Sequence, residues 1–223
     1  MVSENPPRLW SRNPRTGPFS NRKLYIPSNT FFQNMNGDFY YCTGETPILK
    51  TNSIPFTLTF IDCAMKYPLP LNKQITIGLK IVSPLSDSLT NKLLIVSIDD
   101  KNNFTSKGGE YKDGWVTTKV WNFGTFAVAI DTTAPKIKEP KLAKGNNIAS
   151  LKVLEFKISD NLSGIKTYRV ELDGKWILFE YEPKKQSLFC KNNSVLPKGK
   201  HTLKIIVSDS KGNTSVEWFT YVK

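Results

Sequence analysis

One histidine, three cysteines and no long apolar run define what this 223-residue chain lacks. Each absence excludes a class of function. The cysteines, Cys42, Cys63 and Cys190, lie far apart with no CxxC pair, and a structural zinc site needs about four converging ligands that they and a lone His201 do not supply. No serine or cysteine nucleophile motif accompanies His201, so hydrolytic catalysis has no visible machinery. No run approaches the roughly 18 apolar residues of a membrane helix. The formal charge is +12, yet the lysines are scattered along the chain, and no helix-turn-helix, zinc-finger or ribonucleoprotein motif is present. Nucleic acid is therefore not an expected partner. An anionic envelope polymer suits the charge better.

The N-terminus, Met1-Val-Ser-Glu-Asn-Pro-Pro7, has no apolar segment of the signal-peptide kind, so the chain either stays inside the cell or is a piece of a longer protein. The second reading is preferred. Residues 1–23 hold four prolines and five basic residues (Arg8, Arg12, Arg15, Arg22, Lys23) against one Glu, the composition of a basic, Pro-rich leader or linker. Odd cysteine arithmetic leaves at least one thiol unpaired; a Cys42 to Cys63 bridge between neighbouring strands and buried free thiols both remain open.

What is present is strand after strand. Hydrophobic content of 39% with 12% aromatics suits folded domains. Short strands are expected at 22–26, 38–42, 54–60, 74–81, 92–98, 114–120 and 123–130, with turns at Asp99 to Asn103, Gly108-Gly109 and Asp113-Gly114. The segment Asp131-Thr-Thr-Ala-Pro135 then joins two strand systems, and a proline there stiffens the link and ends the preceding ladder. Beyond it Leu154, Phe156 and Ile158 alternate with Glu155 and Lys157, the pattern of a half-buried antiparallel strand. Asp173-Gly174 separates a strand at 165–172 from one at 175–181. Further turns at 183–186, 198–200 and 211–213 punctuate strands at 187–190, 201–208 and 214–222. The expected class is all-β: two tandem β-sandwich domains at 24–131 and 135–223, the second immunoglobulin-like.

Two groups of segments carry a family resemblance. The first comprises Glu110 to Val120, Phe123 to Asp131 and Thr133-Ala-Pro135; the second comprises Phe156 to Ile165, Asp173 to Leu178, Lys200 to Lys204 and Asp209 to Asn213. Together they resemble the non-catalytic C-terminal region of Bacteroidetes envelope proteins in the lysostaphin-type (LytM-like) zinc endopeptidase family, from about Leu24 to the end. The resemblance implies an upstream peptidase domain that uses an HxxxD segment and a later HxH. Neither motif is in this chain, so none of the family's catalytic residues maps onto it. It implies an exported chain located in the periplasm or at the cell surface. The expected function is that of a non-enzymatic accessory region that positions or spaces a peptidoglycan endopeptidase domain. The alternative is a glycan- or peptidoglycan-binding module, or a surface adhesin.

A few residues remain as candidates. His201 shares a strand face with Leu203, Ile205 and Val207, which places it at the rim of a core. The loops Asp160 to Gly164 and Asp209 to Asn213 are oxygen-rich, but without EF-hand spacing they read as side-chain-capped turns; neither metal nor cofactor is expected. Trp115, Trp121, Trp176 and Trp218, with Tyr111, Tyr168 and Tyr181, could form a flat sugar-stacking platform, but most aromatics in small sandwiches are expected in cores. Trp176, just past a hairpin tip, is the leading ligand-binding candidate, with Lys175 beside it to meet an anionic wall polymer. The competing reading buries Trp176 between the sheets, as the conspicuous tryptophan of many such sandwiches is buried.

Overall fold

The computed structural model describes residues 71–81, 85–140, 146–191 and 196–223, together with the backbone of three further strands, Arg22–Tyr25 (β1), Tyr40–Cys42 (β2) and Phe60–Ala64 (β3). The chain divides into two compact units between Asp131 and Thr132.

In the first unit, β1 to β3 are followed by β4 (Ile75–Lys80), a single helical turn α1 (Asp87–Thr90), β5 (Leu93–Ile98), β6 (Phe104–Ser106), β7 (Glu110–Lys112), β8 (Trp115–Val120) and β9 (Thr125–Ile130). They form two antiparallel sheets, ordered β1-β4-β8-β7 and β2-β3-β9-β5-β6. Alternation on β4 turns Ile75, Ile77 and Leu79 inward, where they meet Leu93 and Ile95 of β5, Val116 and Val120 of β8, and Phe126 and Val128 of β9. Both sheets thus contribute to one core, which defines a sandwich. Asp113-Gly114 joins β7 to β8 with positive φ at both positions, the conformation that a two-residue hairpin turn of primed type requires.

The second unit has β10 (Lys136–Lys138), β11 (Val153–Ser159), β12 (Ile165–Leu172), β13 (Lys175–Trp176), β14 (Glu180–Glu182), β15 (Ser187–Lys191), β16 (Lys200–Asp209) and β17 (Thr214–Val222). Its sheets run β10-β11-β15-β14 and β13-β12-β16-β17, all neighbours antiparallel. In strand letters these are A-B-E-D and C′-C-F-G, the immunoglobulin arrangement. Between them Leu154, Phe156 and Ile158 of β11 pack on Val170 of β12, Leu203, Ile205 and Val207 of β16, and Phe219 and Tyr221 of β17. Phe156 is the hub. Its ring meets Phe219 edge-on at 5.1 Å and Phe179 at 6.2 Å.

Some expectations shift. The leader at 1–21 and the residues 26, 38–39 and 54–59 lie outside the described residues, while Arg22 and Lys23, assigned to the leader, stand in β1. Residues 61–64 extend the third strand beyond the expected end at Phe60. The expected strand 175–181 is two strands in different sheets: β13 pairs with β12, and β14 pairs with β15. Between them the chain crosses the sandwich edge, and Phe179 at the crossing is buried in the core. Inward-outward alternation is the same whichever sheet a residue joins, so the sequence does not mark the switch. Helix α1 and the short strands β7 and β10 are too brief to show a period.

Phe156→Ala should cost about 3–5 kcal/mol in denaturant unfolding, because it empties the centre of a packed core. Tyr221→Phe should cost nothing or stabilise, because the Tyr221 hydroxyl is buried with no hydrogen-bond partner among the described residues and its removal relieves a desolvated polar group.

Candidate functional site

Strand β16 is central to its sheet, and its burial alternates strictly: Leu203, Ile205 and Val207 face the core, while Thr202, Lys204 and Ile206 face out, only partly covered. The register carries this alternation across the sheet. Trp176 of β13 opposes Glu171 of β12, Glu171 opposes Lys204 of β16, and Lys204 opposes Trp218 of β17. Directly opposed residues on antiparallel strands share a face, so these four form one row on the outer surface. Three strand spacings separate its ends, about 14 Å. Trp176 is 59% exposed and Trp218 61%. The alternative of an inward-packed Trp176 is therefore not what the structure holds.

The row's centre is electrostatically organised. Arg169, two residues before Glu171 on the same face, donates Nε–H to its carboxylate at 2.7 Å. That bond, aided by the charge of Lys204, holds the Glu171 carboxyl below its ordinary 4.5. Lys204 places Nζ 5.2 Å from the Trp218 ring centre, a cation-π contact. A neighbouring row, in which Ile206 links Arg169 to Val216, adds apolar surface, with Val216 exposed and Leu178 exposed two residues past Trp176. Thr202 and Thr220 join hydroxyls at 3.1 Å on one flank of the face, and Ser208 and Thr214 at 2.7 Å on the other. Lys175 opposes Leu172, on the set of positions alternate to the Trp176 row. It sits at the hairpin's rim and is exposed.

The hairpin that presents Trp176 turns at Asp173-Gly174, both at positive φ. Asp173 anchors it: Oδ1 accepts the Thr202 N–H at 3.0 Å and Oδ2 lies 2.6 Å from His201 Nδ1. The other ring nitrogen, Nε2, is 3.0 Å from the Lys198 carbonyl oxygen. Both nitrogens thus face acceptors, a situation fully satisfied only by imidazolium. The Asp173 hydrogen bond, then that of the Lys198 carbonyl, raises the His201 pKa above its ordinary 6.5. The Thr202 amide, then His201, lowers the Asp173 pKa below 3.8. Against the other side of the imidazole lies the Tyr221 ring, centroids 5.7 Å apart; burial first, then the charges of Asp173 and Cys190, pushes its phenol up to about 12. His201 is the rim residue that its strand pattern implies.

The oxygen-rich loops are turns. Asp160 Oδ2 accepts from the Leu162 and Gly164 amides, and Asp209 accepts from the Lys211 and Asn213 amides and the Asn213 side chain. Carboxylate oxygens of Asp160 and Asp209 lie within 4.8 Å of each other, a donor type suited to a hard cation. Asp99 does the same turn work in the first unit through Lys101 and Asn103. Cys190 is a free, buried thiol whose pKa burial raises, which makes it a poor nucleophile. Cys42 and Cys63 stand on neighbouring strands, with Cys42 opposite Asp62 and Cys63 opposite Tyr41; their side chains lie outside the described set. Tyr168 and Tyr181 pack together with centroids 5.9 Å apart, Tyr168 on the alternate positions of β12. In the first unit Trp121 and Tyr111 are exposed and Trp115 is half-buried. The sequence offers Trp218 with Trp176 among aromatics for a stacking platform, but Lys204, Arg169 and Glu171 are missed as their partners, because only register joins them.

Residues 20–131 match the Zu5-like domain family, half of the chain. The chain belongs to that family. The Zu5-like match falls on the first unit, whereas the aromatic row is on the second. No curated protein matches this Zu5-like chain. Among solved structures, Clostridium thermocellum CbhA fibronectin(III)-like modules are 15% identical over 68% of this chain and 86% of theirs, with a TM-score of 0.30. The apo expansin of Clavibacter michiganensis is 11% identical over 59% of this chain and 66% of its own, with a TM-score of 0.28. Likenesses this loose fix neither topology nor ligand.

The pH dependence of stability follows from the clamp. His201, with a raised pKa in the fold, contributes stability that is complete below its ordinary 6.5 and is lost as pH rises through the raised value. Asp173, with a depressed pKa, contributes stability present above 3.8 and lost as pH falls through the lowered value. The melting temperature should therefore fall as pH rises from 6.5, and His201→Gln should flatten that slope. An unchanged slope in the variant would show that His201 does not titrate with unfolding.

Proposed function

We propose that this chain is a non-catalytic module of a cell-envelope protein that attaches to an envelope polymer through the outer face of β13-β12-β16-β17. One observation carries this reading: two tryptophans, each more than half exposed, stand in one registered row on a rigid sheet. Exposing indole costs hydrophobic free energy, and a fold that keeps two on one flat face retains them for contact. Sugar rings offer the matching chemistry, with apolar C–H faces that stack on indole and hydroxyls that reach the polar side chains between. Lys175 at the hairpin's rim adds charge for an anionic polymer. The resemblance to the tail of LytM-like endopeptidases supports a place in the envelope, where such a module would hold a separate peptidase domain near peptidoglycan.

The test is a pull-down with insoluble peptidoglycan. The chain should sediment with the wall material, and Trp176→Ala should reduce that binding while changing stability by little, about 0.5 kcal/mol, because the side chain is mostly exposed. The chain alone should release no muropeptides above blank. Retention of full binding in the variant would remove Trp176 from the site, and no sedimentation with any wall polymer would end the reading.

A further inference from the structure

The composition of the row narrows the ligand, on the reading that this face binds an envelope polymer. A plain stacking platform for neutral sugar would need nothing ionic at its centre. Here the centre holds Arg169, Glu171 and Lys204, two cations and one anion. Glu171 is the least exposed of the charged pair, its side chain 18% accessible against 53% for Arg169. Its carboxylate is thus already engaged from below by the Arg169 Nε–H and by the nearby Lys204 charge. The terminal nitrogens of Arg169 have no bond to another described residue. A guanidinium fixed at Nε still presents its remaining N–H donors as a planar fork, the shape that pairs with a carboxylate. Lys204 lies between that fork and Trp218.

The surroundings favour the same sign. From Thr132 to Lys223 the chain has seventeen basic and nine acidic residues, a net of +8 within a total of +12. Such a field draws a polyanion and repels a polycation. An aromatic at each end and cationic donors between them thus describe a site with an axis across the strands, about 14 Å long from its β13 edge to its β17 edge.

We propose that this face binds a carboxylate-bearing polysaccharide laid across the strands, with sugar rings stacked on Trp176 and Trp218 and a carboxylate held by Arg169 and Lys204 between them. A short fragment reaches one tryptophan only. A longer one engages both, and the second contact then forms within the same complex, which raises affinity without any new chemistry.

The experiment uses the full chain with alginate oligosaccharides, which carry a carboxylate on every ring, and cello-oligosaccharides of equal length, which carry none. Affinity is read by titration calorimetry and indole fluorescence, with polyglutamate as a carboxylate polymer without sugar. The alginate hexasaccharide should bind at least tenfold more tightly than the disaccharide and than cellohexaose. Trp176→Ala and Trp218→Ala should each weaken hexasaccharide binding about tenfold at unchanged melting temperature. Lys204→Gln should reduce the preference for the acidic sugar and flatten its salt dependence. Equal affinity for cellohexaose and the alginate hexasaccharide, or equal binding of polyglutamate, overturns the acidic-sugar assignment. Tight alginate binding that neither tryptophan variant weakens overturns the site but leaves the envelope-polymer reading standing. Alginate that fails to bind while peptidoglycan still sediments the chain through Trp176 overturns only the ligand class, and failure of both removes both readings.

Discussion

Burial of Leu203, Ile205 and Val207 fixes the register of β16, and the outer face of the second unit depends on that constraint. These three side chains are fully buried, so a slip of one residue would expose them all and bury Thr202, Lys204 and Ile206 in their place. The apolar penalty for such a slip is several kcal/mol, since burying one such side chain is worth about 1.5–3 kcal/mol. The strands on either side inherit the register through their hydrogen-bond ladders. The row from Trp176 to Trp218 is thus a consequence of core packing on the opposite face of the same sheet. A binding surface built this way is preorganised without any contact of its own.

Within that frame the edges differ. Strand β17 runs nine residues alongside β16 and holds Trp218 in mid-strand, with the registered pairs Thr202 to Thr220 and Ser208 to Thr214 on either side. Strand β13 has two residues only, too few for a ladder to hold it. Its position comes from the turn: positive φ at Asp173 and Gly174, and the Asp173 carboxylate fixed by Thr202 and His201. The lone histidine, which the sequence places at the edge of the core, therefore serves the hairpin that presents Trp176.

How much of this the sequence reveals depends on range. The alternation of Leu154, Phe156 and Ile158, the Asp-Gly turns and the Asp-capped loops are local, and their side chains lie where the pattern puts them. The all-β, immunoglobulin-like class of the second unit follows from a run of short strands with turn residues between them. The crossing at 177–179 leaves no mark, because Ile177, Phe179 and Tyr181 keep one alternation through the change of sheet. The site is the hardest part to read. Trp176 suggests itself from its place near a hairpin tip, but Glu171, Lys204 and Trp218 become its neighbours only through three successive registers, which depend on the packing of a core that no local window contains.

The two ends of the row should then respond differently to their surroundings. Trp218 is held by a long ladder whose hydrogen bonds do not titrate, with the Lys204 ammonium over its ring. Trp176 depends on a turn secured by a histidine whose raised pKa lies above 6.5, so its restraint loosens as the imidazolium is lost. Since β13 has only two residues to resist that loosening, the hairpin end is the half of the platform that weakens at alkaline pH and regains its anchor on the acidic side, down to where Asp173 itself takes a proton. A sheet supplies flatness and spacing without cost to its core, but its outermost short strand needs a side-chain anchor, and the choice of histidine for that anchor ties one stacking surface to proton concentration while leaving the other independent of it.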